Sequence, residues 1–341
     1  MSDKLPTSQL APEETSSSTS YKSRLIARFV LEHNPHLLDG SQRNVQRKSG
    51  KLQPPVMLSM QGPQGAGKST LAASLQALLQ DQPYGLNVAV VSLDDFYLTH
   101  QGLVDLADEH PENKLLHGRG QPGTHDVPLL KNTLRAISHI NDSDNDLSTT
   151  TTTSSRTVNL PVFDKSLFNG QGDRAPLSIQ IEGPLDIFIL EGWSLGFRPL
   201  PPATLESYHA QPSPIPPPSR PPPYKMHDHP LAAIIQINAN LRTISQEVYP
   251  FFPLHVVIRP RSYDYVYAWR LEQERQMKAL NGGRGMEDEE VRRFVDRYMP
   301  AYEVWGNEAL RAGLEAEEGE EAGGREVLEL VFDEERRVVQ S

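Results

Sequence analysis

Val56-Met57-Leu58-Ser59-Met60 runs straight into Gly62-Pro63-Gln64-Gly65-Ala66-Gly67-Lys68-Ser69-Thr70 and then Leu71-Ala72-Ala73-Ser74-Leu75, and this order constrains the chain more than any other feature of its 341 residues. An apolar strand, a glycine loop and an amphipathic helix form the context in which backbone N–H groups converge on phosphate oxygens at the positive end of a helix. Gly62, Gln64, Gly65, Ala66, Gly67, Lys68, Ser69 and Thr70 are therefore the expected phosphate cradle. Lys68 is expected to reach the β- and γ-phosphates of a nucleotide, and the Ser69 hydroxyl to bind Mg²⁺. The motif alone does not say what becomes of the phosphate, because switches, motors, transporters and kinases share it.

The rest of the chain alternates short apolar runs with amphipathic stretches, which predicts an α/β fold with a doubly wound, mostly parallel sheet and helices on both faces. Strands are expected at 56–60, 88–92, 186–190, 254–258 and 327–332. Helices are expected at 22–32, 68–80, 128–140, 265–280 and 288–302. The N-terminal residues 1–20 read as a disordered tail, and 21–341 as a single domain. Three low-complexity insertions interrupt that domain: Thr-rich 141–155, Pro-rich 199–230, expected to be extended and poorly packed, and Glu/Gly-rich 314–324.

Two later strands end in acids. Ser92-Leu93-Asp94-Asp95-Phe96-Tyr97 closes the second, and Leu190-Glu191-Gly192-Trp193 the third. Ligands of open α/β sheets gather at the carboxyl ends of strands, so these carboxylates should face the γ-phosphate. Asp94 or Asp95 is expected to accept the proton of an acceptor hydroxyl or to hold Mg²⁺, and Glu191 to be a second metal-ordering acid. The metal set is thus Ser69, Asp94 and Glu191.

Composition removes several classes. The net charge of -11 argues against a nucleic-acid binder, since phosphate backbones demand a basic face. No apolar run approaches the roughly 18 residues of a membrane span. The sequence has no cysteine, so thiolate metal sites and thiol nucleophiles are excluded. A cytoplasmic location is the expectation, with the nucleus as an alternative.

The phosphate loop, Ser92–Tyr97, Gly118-Arg119-Gly120-Gln121-Pro122-Gly123-Thr124-His125-Asp126, Phe163-Asp164-Lys165-Ser166, Gly172-Asp173-Arg174, Glu191-Gly192-Trp193, and Trp269-Arg270-Leu271 followed by Gly285-Met286 together resemble the glycerate-kinase-like branch of the uridine kinase/phosphoribulokinase/pantothenate kinase group. Within that branch the chain is most similar to fungal ATP-dependent small-molecule kinases related to D-glycerate 3-kinase. The resemblance implies ATP and Mg²⁺ as cofactors, a small-molecule hydroxyl acceptor, and a helical lid begun by Arg270. It implies that Asp94 is the catalytic base with Asp95 beside it. It further implies that Asp164, Lys165 and Arg174 line the acceptor pocket, and that Arg119, His125 and Asp126 form a second acceptor-side block; Arg275 and Lys278 are weaker lid candidates. Asp126, before Val127-Pro128, is equally placed to cap a helix. Arginines in the pocket favour an acid such as glycerate. A nucleoside or pantothenate acceptor is the alternative, and a nucleotide-dependent switch or assembly ATPase is the competing class.

Overall fold

The computed structural model describes residues 19–40, 52–142, 157–210, 224–280, 282–306 and 325–340. The expected tail up to residue 18, the Thr-rich insertion beyond Asp142, residues 211–223 of the proline tract and all of the Glu/Gly-rich insertion lie outside them.

The central strand is β1 (Val56–Gln61), buried along its whole length. It pairs in parallel with β5 (Ile187–Gly192) on one side and β6 (Leu254–Pro260) on the other. With β2 (Val88–Ser92), β7 (Glu326–Phe332) and the short antiparallel β8 (Val338–Gln340), the sheet order is β2-β5-β1-β6-β7-β8. Continuous apolar runs become central parallel strands because helices cover both faces. On one face α1 (Thr19–His33) and α2 (Lys68–Gln80) bury Ile26, Val30, Leu71 and Leu75 against Leu58 and Val256. On the other, α4 (Val127–Ser138) and α6 (Leu231–Glu247) bury Leu134, Ile137 and Ile244 against Phe188 and Leu190. Further helices are α3 (His100–Glu109), α5 (Pro202–Ala210), α7 (Tyr265–Leu280), α8 (Asp288–Asp296) and α9 (Met299–Trp305). The sheet order puts the carboxyl ends of β2, β5 and β1 side by side, which sets Asp94, Glu191 and the glycine loop next to one another.

Several expectations need correction. The antiparallel pair β3 (Thr157–Asp164) and β4 (Asp173–Glu182), and the helices α3 and α6, were not among the expected elements. The tail does not reach residue 20, since α1 starts at Thr19. The helix expected at 288–302 is two helices, α8 and α9, because Pro300 starts a new one at its first turn. The proline-rich stretch is not extended throughout: residues 202–210 form α5, and Leu205, Tyr224 and Met226 are buried beside Trp193 and Trp305. Asn141, assigned to a polar insertion, is buried instead. Its carboxamide donates to Gln53 O and Leu185 O and accepts from Leu185 N, tying the end of α4 to the segments that enter β1 and β5.

Candidate active site

Gly65 and Gly67 hold positive φ angles of 72° and 84°, a conformation a side chain would strain. Gly67 caps α2, so the backbone N–H groups at the start of that helix are directed to the mouth of the loop. Lys68 Nζ donates to Pro63 O at 3.1 Å, and the Ser69 hydroxyl donates to Glu191 Oε1 at 3.0 Å across the β1–β5 pair. Burial holds the Lys68 ammonium below its ordinary pKa, against the pull of Glu191 and Asp94.

Asp94 opens the turn after β2. Burial raises its carboxyl, but Lys165, bonded to it directly, His125 nearby and the Tyr97 hydroxyl outweigh burial and bring the pKa below the usual carboxylate range. Tyr97 is fully buried, and burial together with Asp94 pushes its hydroxyl well up, so it stays protonated as a donor.

Lys68, Ser69, Asp94, Lys165, Glu191 and Arg270 line one cleft of about 1160 Å³, shared with Gln64, Gly65 and Arg119. Arg270 enters it from α7. Its guanidinium is nearly buried, pairs with Glu274 at 2.7 Å and stacks 5.0 Å from the Phe294 ring, while Nη1 is unpartnered among the described residues. An unpaired buried guanidinium nitrogen in a cleft is costly unless an anion meets it.

Other expected site residues are placed differently. Asp95 does not line the cleft; it accepts from Phe163 N at 3.2 Å and so fastens β3 to the turn after β2. Asp126 caps α4 by accepting from Leu129 N at 3.0 Å, and it also accepts from Arg174 at 3.2 Å. Arg174 further donates to Tyr97 O at 3.0 Å, so this pair latches the 118–126 block to β4 and the Asp94 turn instead of facing the cleft. His125 is buried and stacked on Tyr97 at 4.4 Å, with neither ring nitrogen partnered among the described residues; burial lowers its pKa to about 4. Asp164 is spent on a local turn, accepting from the N–H and hydroxyl of Ser166 at 2.8 and 2.6 Å. Arg119 lines the cleft, yet its Nη1 already donates to Gly170 O at 2.6 Å and Gln171 O at 2.5 Å. Arg275 and Lys278 form surface pairs with Asp288 and Glu287 and lie outside the cleft.

Sequence reasoning did not single out Tyr298, His117 or Arg297, which line the cleft, or Tyr302, whose hydroxyl bonds Gln64. Tyr298 and Tyr302 are four residues apart within the helix expected at 288–302, a spacing that puts two rings on one helical face and was the signal available for them.

The donor set suits a magnesium nucleotide. Among the described residues no cluster of three or more acids and histidines could enclose a metal. Mg²⁺ does not need such a cage, since it takes one or two carboxylates, waters and substrate phosphates. Ser69, Glu191 and Asp94 supply oxygens of that kind in one cleft. No helix among the described residues is long and apolar enough to cross a membrane.

No protein-family model matches the chain. The chain is 36% identical over 289 residues to the "Probable ATP-dependent kinase TDA10" of Saccharomyces cerevisiae, covering 83% of this chain and 87% of that one. It is 34% identical over 298 residues to the chloroplastic D-glycerate 3-kinase of Arabidopsis thaliana, covering 87% of this chain but only 56% of that longer protein. Among solved structures, D-glycerate 3-kinase from Cryptococcus neoformans var. grubii superposes with a TM-score of 0.74 at 36% identity, over 94% of this chain and 98% of that one. The order of the site blocks, the sheet and these relatives agree: the chain belongs to the glycerate-kinase-like branch of the uridine kinase/phosphoribulokinase/pantothenate kinase group of P-loop kinases.

Proposed function

We propose that the protein transfers the γ-phosphate of ATP to a hydroxyl of a small hydroxy acid, D-glycerate before any other, and does so in the cytoplasm. The observation that carries this reading is the position of Asp94 in one cleft with Lys68, Ser69 and Glu191. Phosphoryl transfer asks a protein mainly to position two oxygens and to spread positive charge around the moving group. The loop N–H groups and Lys68 hold the donor phosphates. Ser69 and Glu191 would hold Mg²⁺, which would neutralise charge on the phosphate oxygens and leave Asp94 to the acceptor. Arg270 brings its unpartnered nitrogen to the same space from α7. The acceptor hydroxyl gives its proton to Asp94, which is ionised at neutral pH because of Lys165 and Tyr97. Its depressed pKa makes it a modest base, which suffices where the nucleophile needs little activation in a loose transition state.

Glycerate is favoured by the cationic lining of the cleft beyond Asp94, where Arg119, Lys165 and Arg297 face an acceptor, and by the two D-glycerate 3-kinases among the relatives. The test is ADP release with D-glycerate, L-glycerate, uridine, pantothenate and a sugar alcohol as acceptors. Turnover confined to D-glycerate is expected. Faster turnover with uridine or pantothenate would refute the acid assignment. ATP binding without stimulation by any acceptor would refute the kinase reading in favour of a nucleotide-dependent switch.

A further inference from the structure

The phosphate loop is held from outside its own motif, and one holder comes from the far end of the chain. Arg336 lies in the turn between β7 and β8. Its Nε donates to the carbonyl of Gly65 at 2.8 Å, its Nη2 pairs with Glu272 of α7 at 2.8 Å, and its guanidinium lies 5.3 Å from the Trp269 ring centroid. Trp269 returns the contact, donating from Nε1 to Glu334 O at 2.6 Å. We propose that Arg336 is a positioning residue for the phosphate loop, fixing the Gly65 peptide so that the loop binds nucleotide phosphates at full strength.

Three independent features support this assignment. First, Arg336 holds φ at +60°. A non-glycine residue in that region is strained and persists where surrounding contacts over-determine it. The N–H of Arg336 closes the turn on Asp333 O at 3.0 Å, and its side-chain contacts lead to the loop and to the helix packed on it. Second, Gly65 has no slack. A Cβ there would meet the backbone of Trp269 at 2.6 Å and of Arg270 at 2.8 Å, so the apex of the loop is sandwiched between α7 and the guanidinium. Third, the electrostatics have the right sign. A carbonyl oxygen turned towards a phosphate repels it, whereas one bonded to a guanidinium outside the cleft is held away. Arg336 does not line the cleft, so the Gly65 oxygen it binds points to the hairpin side. The Pro63 oxygen is likewise covered by Lys68. On a chain of net charge -11, each fixed cation beside the loop also offsets the repulsion an anionic nucleotide meets on approach. The same bonds tie Gly65 to Glu272 and Trp269, neighbours of Arg270, so the loop and the arginine-bearing helix share one support.

The proposal rests on the reading of the loop as a nucleotide site, and the experiment separates the two. Titration calorimetry of the full chain with Mg·ATP and no acceptor measures binding without turnover. Arg336→Ala is expected to weaken ATP binding about tenfold, the size of a lost charge-assisted hydrogen bond, with KM for ATP rising in parallel and KM for the acceptor unchanged. Arg336→Lys, which keeps a cationic donor for the carbonyl but cannot fork to Glu272, is expected to fall between wild type and Ala, and it decides the question if the Ala variant does not fold. Arg337→Ala is the control, because Arg337 sits in the same turn and its guanidinium pairs, among the described residues, with Asp333 and Glu335 alone, at 2.7 and 3.0 Å. Unchanged ATP affinity in both Arg336 variants, or an equal loss in Arg337→Ala, overturns the proposal. No ATP binding by the wild type overturns the nucleotide reading itself.

Discussion

Gly65→Ala and Gly67→Ala form a matched pair that tests how the loop is packed. Both glycines hold positive φ, at 72° and 84°, so alanine at either site bears the same backbone cost of about 1 kcal/mol. Their surroundings differ. A Cβ at Gly67 meets nothing within 4 Å, whereas one at Gly65 falls 2.6 Å from the Trp269 carbonyl carbon and 2.7 Å from its Cβ. The obstacle is helix backbone, which cannot swing aside as a side-chain tip can. Overpacking of that kind costs about 1–3 kcal/mol, so Gly65→Ala should total about 2–4 kcal/mol against about 1 kcal/mol for Gly67→Ala. Denaturant unfolding of the nucleotide-free protein reads the difference directly, and it avoids the effect both changes have on phosphate contacts. Equal destabilisation of the two variants would show that α7 does not rest on the loop as described, and would undermine the positions given to Trp269 and Arg270.

Acid should weaken the fold through two buried histidines. His125 and His255 titrate at about 4 because burial disfavours the charged ring. The unfolded chain takes up their protons near 6.5, so stability is fully present above that pH and is lost as pH falls towards 4. At pH 5 the loss is about 2 kcal/mol for each histidine. In unfolding curves at pH 7 and pH 5, His125→Phe should lose about 2 kcal/mol less than the wild type; an unchanged pH dependence would contradict the neutral, buried state of His125. Asn141→Leu should cost about 3 kcal/mol by urea unfolding, because it strands the N–H and C=O of Leu185 and the carbonyl of Gln53. A loss below about 1 kcal/mol would show that these groups find other partners.

The parallel sheet was legible because buried central strands are continuous apolar runs, and Val56–Gln61 and Ile187–Gly192 are of that kind. The β3–β4 pair was not, for a physical reason. Pro161 interrupts the first strand and Pro176 the second, and the short alternation Leu177-Ser178-Ile179-Gln180-Ile181-Glu182 marks no buried face, since Leu177 and Ile179 are 74% and 56% exposed. The helix Leu231–Glu247 escaped because it follows a proline tract, although its Ile234, Ile237, Leu241 and Ile244 have helical spacing and are buried. In the site, Lys68 and Ser69 of the loop and the strand-end acids Asp94 and Glu191 line one cleft because the carboxyl ends of parallel strands converge there, whereas Asp95, next to Asp94, does not. The 118–126 and 163–174 blocks were harder. Their charged residues divide between the cleft, as with Arg119 and Lys165, and the scaffold beneath it, as with Asp126 and Arg174. A linear motif records that a residue belongs to the block but not which way its side chain turns.

The central claim is that Asp94 serves the chemical step and is not needed to grip the nucleotide. The most direct measurement is a single-turnover reaction of wild type and Asp94→Asn with γ-labelled ATP and D-glycerate, with the ATP dissociation constant measured alongside. ATP affinity is expected within about threefold of wild type and phosphoryl transfer slowed by about a hundredfold or more, the usual worth of a positioned proton acceptor. Transfer by Asp94→Asn at the wild-type rate would contradict the central claim.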